Sequence, residues 1–535
     1  MTFPTRRQFL SLLAALSTSP SAFSQDSTSP GNTTHLGPTQ DFSWAGLVER
    51  ARTLARSPYQ APQSPEPDVI HRIDWEAHGQ IHFNMDHALF ANGPGAFPIA
   101  FFHPGKFFPF PVRMYRLDHA LNQNQRQTDA RELLFDKHLF DMPADSPAQA
   151  LNQPVGFAGF RIQESREGSG PDWHANDWAA FLGASYFRAI GDEYQYGISA
   201  RGIAINTLIP SRKEEFPLFT HFYFEPSDPG SREVSVYALL DGPSVCGAYH
   251  FVLTRGKNVT TEVEAQLFLR QDVARLGLAP MTSMYWFADK DKHFQEDWRP
   301  EVHDSDGLSL WTGTNEHVWR PLINPKGTEL SFFSDENPKG FGLVQRERRF
   351  GQYQDAVHYE RRPSLWVEPL APWGKGTVQL VELHTDEELY DNVVVAWVPE
   401  VPARAGSHYA LHYRLYWQAD EPFASSLARC VHTSIGRGGE SAKRPMGSHK
   451  FEITFAGGEL FHLSNNARPE AVISPSRGHI GNTATEPVPN GEPGLWRTFF
   501  DLTEVTGSEP VDIRLYLKQG ENTLSETWLY HFIPD

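Results

Sequence analysis

Cysteine is almost missing from this chain: Cys246 and Cys430 are the only two among 535 residues. There is no CxxC pair and no Cys/His cluster, so a structural zinc site has no ligands to draw on. The two cysteines are expected as free, buried thiols. Positive charge is scarce as well. Lys and Arg number 47 against 65 Asp and Glu, for a net charge of -18. A nucleic-acid binder neutralises phosphates with a basic surface, which this composition does not supply. An anionic membrane surface would repel the chain for the same reason, so the expected partner is neutral, as a polysaccharide is. Long apolar runs are lacking too. None approaches the ~20 residues that cross a bilayer, and no stable membrane insertion is expected.

Several chemistries are excluded by missing motifs. The chain has no Walker loop, no GxGxxG after a strand, no HExxH and no GxSxG elbow. His71, His78, His82 and His87 are too loosely spaced to read as metal ligands. Asp304-Ser305-Asp306-Gly307 starts like a calcium loop, but the rest of the ligand pattern is absent. Neither a metal nor a cofactor is expected.

What is present is an ordinary globular composition, 40% hydrophobic and 21% charged. The length exceeds what one core serves, which suggests two domains. At the start, Arg6-Arg7 precede the short apolar run Phe9–Leu16, and Ala22-Phe23-Ser24 offers small residues to a signal peptidase. Residues 1–24 therefore read as a twin-arginine-type signal peptide. The expected partner is the twin-arginine export machinery, and the destination is the periplasm. Gln25 to Gln40 is rich in Ser, Thr, Pro and Gly and reads as a flexible leader. From Ser43 to Arg56, Trp44, Leu47, Val48, Ala51, Leu54 and Ala55 fall at helical spacing until Ser57-Pro58.

Beyond that helix the period is two. In Thr261–Leu269 the residues Val263, Ala265, Leu267 and Leu269 alternate with Glu262, Glu264, Gln266 and Phe268. The same alternation runs through His408–Trp417 and Val511–Leu517, so each has one buried and one wetter face. Val393–Val398 lacks alternation and reads as a strand covered on both faces. With 41 Gly and 41 Pro punctuating such runs, the class is all-β, in sandwiches. A break between Gln418 and Ser426 sets expected domains at 41–418 and 431–535, with a linker at 419–430. Of the 14 tryptophans, most are expected in the core and the remainder along a sugar cleft.

The chemistry left over is that of carboxylates. Glycosidic cleavage needs one carboxylic acid to protonate the leaving oxygen and a second carboxylate to activate water. Two acidic segments stand out: Arg299–Gly307, with acids among His, Pro and Gly, and Asp386–Asn392, just before the Val393 strand. Carboxylates packed this closely raise one another's pKa, which suits a general acid. On residues alone, a plain solvated loop is the favoured reading of both.

Longer blocks resolve more. Gly156-Phe-Ala-Gly-Phe-Arg161, Phe181–Ala189, Tyr196–Gly202, Glu214-Glu-Phe-Pro217, Ala279–Met284, His303–Asp306, Asn337–Gly342, Arg362–Pro369, Trp373–Gly376 and Leu524–Trp528 follow in order. With them, nearly the whole chain after the leader resembles the family of periplasmic glucan biosynthesis proteins G and D. The resemblance implies a large galactose-mutarotase-like β-sandwich, joined by a short helical turn to an immunoglobulin-like sandwich. It implies action on β-1,2-linked glucan, as an inverting endo-glucanase or a transglycosylase. Asp391 aligns with the family's general acid, which delivers its proton through a substrate hydroxyl. Asp304 aligns with the general base, which reaches water through a relay. Glu388 aligns with an acidic cleft residue, and Asp306 is an Asp where some G-type members carry Asn. Tyr359 matches a tyrosine that reaches a cleft in family dimers, which points to a homodimer. The loop Asp355–Tyr359 keeps that Asp and Tyr but differs between them. The alternative function is a non-catalytic glucan-binding protein that assists a membrane glucosyltransferase.

Overall fold

The computed structural model describes residues 35–534 apart from 123–124, 210, 295, 441–442, 465 and 490. The expected signal peptide and the leader up to residue 34 lie outside the described residues. Leu36–Phe42 is an edge strand paired antiparallel with Gln125–Leu133. The leader expected to run to Gln40 is therefore shorter: backbone pairing along the sheet edge holds its last residues despite their turn-like composition.

Trp44–Ala55 forms the helix that the spacing predicts. Ser43 caps it, its hydroxyl accepting from the Gly46 N–H at 3.0 Å. Leu47 and Ala51 bury themselves beside Tyr115, Leu239, Ala248 and Phe268. This explains Phe268, which breaks the alternation of its strand: the helix covers the outer sheet face there. At the other end, the Arg270 guanidinium donates to Leu54 O and Ser57 O, satisfying carbonyls that a helix C-terminus leaves free.

In the rest of the described chain the regular structure is mainly strand, with a few short helical turns between strands. Val245–Arg255, Val259–Leu269 and His408–Gln418 lie side by side in a sixteen-stranded sheet. Leu276–Ser283 and Val393–Pro399 belong to a second sheet of ten strands. The two face each other and share one apolar core, with Phe181 against Phe251 and Phe187 against Trp417. Val393 to Trp397 are all buried, as the absence of alternation predicts. Half of the tryptophans are buried, fewer than expected, and Trp298 is 66% exposed.

The chain leaves the His408–Gln418 strand and enters Arg429–Arg437, which begins inside the expected linker. The connection holds bends and no helical turn. Its carbonyls are taken up elsewhere: Ala419 O accepts from Ser364 Oγ and from Arg348. The C-terminal strands form a smaller sandwich, a four-stranded sheet packed on the end of the sixteen-stranded one. The large sheet crosses the boundary, because His317–Pro321 pairs parallel with Thr527–Phe532. Trp319, Ile323 and Val344 from the first unit sit in the core of the second. Arg346, its guanidinium 3.6 Å above the Trp319 ring, bonds Glu526 at 2.6 Å and Glu421 at 2.8 Å, which locks the joint. Cys246 and Cys430 are free and buried.

Candidate active site

The two acidic segments meet at one stretch of backbone, Thr282 to Tyr285. From one side, Val393 and Val394 pair with Ser283 and Thr282. The Asn392 side chain grips the Tyr285 backbone at both ends, accepting from N–H at 2.8 Å and donating to C=O at 2.9 Å. That places Asp391 against the buried stretch. From the other side, His303 pairs with Tyr285, and the Asp304 N–H donates to Met284 O at 2.8 Å. Ser283 Oγ and Ser305 Oγ are hydrogen-bonded at 2.7 Å. Two carboxylates far apart in sequence are thus fixed on one short segment by local pairing on each flank.

Both are desolvated: Asp304 is 3% exposed and Asp391 8%. They differ in partners. The Arg362 guanidinium donates to Asp304 and lies 4.1 Å over the Tyr359 ring. Burial works against the charge of Arg362, but Asp304, Tyr359 and Asp355 together raise its pKa. Asp391 has no such direct ion pair among the described contacts. Burial, followed by the negative charge of Asp304, pushes its carboxyl up to about 7, with Arg188 and Arg362 opposing the rise. Arg188 comes from the strand Tyr186–Ala189, lies 4.6 Å over the Tyr196 ring, and is itself buried. Tyr196 is in turn bound to Asp177 at 2.7 Å. The pair of Asp residues therefore holds one carboxyl raised to about 7 and one in direct contact with Arg362.

Glu388 and Tyr359 form a second cluster beside the first. Glu388 accepts from the Tyr359 hydroxyl at 2.9 Å and from Arg299 Nη1 at 2.6 Å. Arg299 also holds Asp355 and Asp297, each at 3.0 Å. The loop 355–359 is in this way tied to the acidic loop 386–391. Tyr359 is buried, and burial pushes its hydroxyl well above its ordinary pKa. Trp298 stands exposed next to this cluster, with Arg299 5.8 Å from its ring.

Asp306 is oriented differently. Its Oδ2 accepts from the Arg346 N–H at 3.0 Å and the Glu347 N–H at 2.9 Å, so it pins the backbone that leads to the Arg362 loop. His303, adjoining Asp304, is fully buried between Glu301 at 2.7 Å and Gln345 at 2.8 Å. Burial lowers the pKa of this imidazole, but Glu301, Asp306 and Gln345 together outweigh it and the net shift is upward. Gln345 Nε2 donates to the Tyr353 hydroxyl at 2.8 Å, His303 O at 3.1 Å and Tyr359 O at 3.2 Å. One side chain thereby joins the Asp304 segment to the Tyr359 loop.

The structure brings Asp391 and Asp304 together, places Glu388 and Tyr359 in contact, and turns Asp306 toward backbone. Sequence reasoning did not single out Arg362, Arg188, Arg299 or Gln345 as site residues. Arg188 and Arg362 lay inside the blocks that carried the resemblance, but nothing local distinguishes a buried arginine from a surface one.

Residues 42–532 match the model of a family described as "Periplasmic glucan biosynthesis protein, MdoG". A "Glucans biosynthesis protein D 2" from Ralstonia nicotianae is 54% identical, covering 99% of this chain and 98% of its own. "Glucans biosynthesis protein D" from Stenotrophomonas maltophilia is 44% identical over 93% of this chain and 91% of its own. The protein of the same name from Xanthomonas oryzae is 43% identical with the same two coverages. A match that spans the sandwich, the joint and the C-terminal strands alike leaves one conclusion: the chain belongs to the family of periplasmic glucan biosynthesis proteins.

Proposed function

We propose that this protein acts in the periplasm as a carbohydrate-active enzyme on β-1,2-glucan, cleaving or transferring glucan chains with inversion at the anomeric carbon. The observation that carries the reading is the contrast between two buried carboxyls: Asp391 raised to about 7, and Asp304 held by Arg362. Asp391 is the general acid, giving its proton to the leaving glycosidic oxygen. Asp304 is the general base, taking the proton of the incoming nucleophile as it bonds to the anomeric carbon. With water as nucleophile the reaction is hydrolysis; with a sugar hydroxyl it is transglycosylation. Burial favours such chemistry, because charge interactions strengthen where water is excluded. The tied loop 355–359 decides how much water enters, and Tyr359 and Glu388 line the approach. Export by the twin-arginine machinery and assembly as a homodimer belong to the same proposal.

The test incubates the protein with linear β-1,2-glucan and reads product masses, with Asp391→Asn alongside. Products that gain one water per cut identify hydrolysis. Redistributed masses, or rings lighter by one water, identify transfer. No change with either protein, together with retained glucan binding, would replace the enzyme by a glucan-binding protein.

A further inference from the structure

A cleft of about 600 Å³ opens where the two sandwiches meet, away from the carboxylate pair. One wall is the hairpin made by Gly307–Trp311 and His317–Pro321, and the other is the C-terminal strand Val511–Gln519 with Thr523 to Thr527. We infer that this cleft is a second saccharide-binding site, which holds a neutral gluco-oligosaccharide segment between the two sandwiches.

Three observations carry the inference. The first is the chemistry of the walls. Trp311 and Tyr516 supply aromatic surface, and Thr314, Ser425, Ser426 and Thr523 supply hydroxyls. A pyranose presents both an apolar C–H face and a rim of hydroxyls, and this mixture suits it. Trp311 is a rigid wall: His317 stacks on it at 5.3 Å, Lys339 lies 5.1 Å over the ring, and its indole N–H is fixed on Asn315 at 3.0 Å.

The second observation is charge. Glu316 bonds Arg514 at 2.6 Å and accepts from the Thr527 hydroxyl at 2.6 Å. The acid and base that line the cleft neutralise one another, which disfavours an ionic ligand. The volume also falls within the ~300–1,000 Å³ range of small-molecule sites. The third is position. The hairpin wall begins at Gly307, directly after Asp306, and Trp311 lies roughly 13 Å along the strand at about 3.3 Å per residue. The cleft therefore lies one short strand away from the segment that carries Asp304. Because residues of both sandwiches line it, a bound chain would bridge them and give the C-terminal unit a part in holding substrate.

The class of ligand rests on the glucan reading above, but the site does not require catalysis at Asp391. The experiment uses the full chain carrying Asp391→Asn, so that nothing is consumed, titrated with linear β-1,2-gluco-oligosaccharides of increasing length by calorimetry. Two variants are added to that background: Trp311→Ala, which removes the wall, and Ser426→Trp, which fills the cleft from an exposed position. Melting temperatures check that both fold. The expected result is two binding events, one lost in both variants, with long oligosaccharides bound about tenfold or more weakly as the second anchor disappears. Binding at one site that neither variant weakens overturns the junction site and leaves the glucan reading intact. No binding of any oligosaccharide overturns both.

Discussion

Replacing Asp391 by Asn should cost the protein its turnover and at the same time make it more stable above neutral pH. In the folded chain the Asp391 carboxyl is raised from 3.8 to about 7. Between about pH 4 and about pH 7 the folded state therefore holds a proton that the unfolded state has released. Stability is full below the unfolded pKa and falls as pH rises through the folded one. A shift of about three units, at about 1.4 kcal/mol each, sets an upper bound of about 4 kcal/mol on the loss at pH 8. Asn keeps the shape and remains uncharged, so the variant escapes this loss. The attraction of Arg188 and Arg362 for the carboxylate is already contained in the shift, since both oppose it. Thermal melts of both proteins from pH 4 to pH 9 make the comparison. The melting curves should coincide near pH 4, separate up to about pH 7, and stay a few degrees apart above it. Turnover by the wild type should decline above about pH 7 as the acid loses its proton, and the variant should lose about 10²–10⁴-fold. A stability difference independent of pH, or a wild type that is the more stable at pH 8, would refute the reasoning.

Other perturbations test the surroundings of the pair. Arg362→Ala leaves Asp304 buried without its cation and should cost about 3–5 kcal/mol in chemical denaturation, with Arg362→Lys in between; an Ala variant as stable as wild type would show that the pair is not desolvated. Gly307→Ala puts a Cβ 2.2 Å from the Trp319 ring, which Arg346 holds in place, and should destabilise by about 1–3 kcal/mol. Because Trp319 sits in the C-terminal core, the loss should appear in the melting of both units, and an unchanged melting curve would contradict the shared core. Burial pushes the Cys246 and Cys430 thiols up to about 12, so neither should react with a thiol reagent at pH 8 until denaturant is added.

Much of the architecture was legible in the residues because strand and helix signals are local. The alternation in Val259–Leu269 and its absence in Val393–Pro399 state directly which faces are covered, and Ser43 marks the helix start. The carboxylate segments could be recognised as unusual, and the family blocks assigned Asp391 and Asp304 their expected roles. Leu36–Gln40 misled because pairing at a sheet edge uses backbone, which composition does not report.

The sequence by itself determined the β class, the export-like start, the lack of metal and nucleotide motifs, and the two acids worth attention. Only the tertiary structure decided that these acids differ. The elevated pKa of Asp391 comes from burial and from the charge of Asp304, against the opposing charges of Arg188 and Arg362, and all of these belong to separate stretches of chain. It also decided that the large sheet runs through the domain boundary, because the parallel pairing of Val318 with Thr527 depends on two strands that local patterning cannot match to each other. Periodicity is a property of neighbours in sequence; desolvation and charge coupling are properties of neighbours in space.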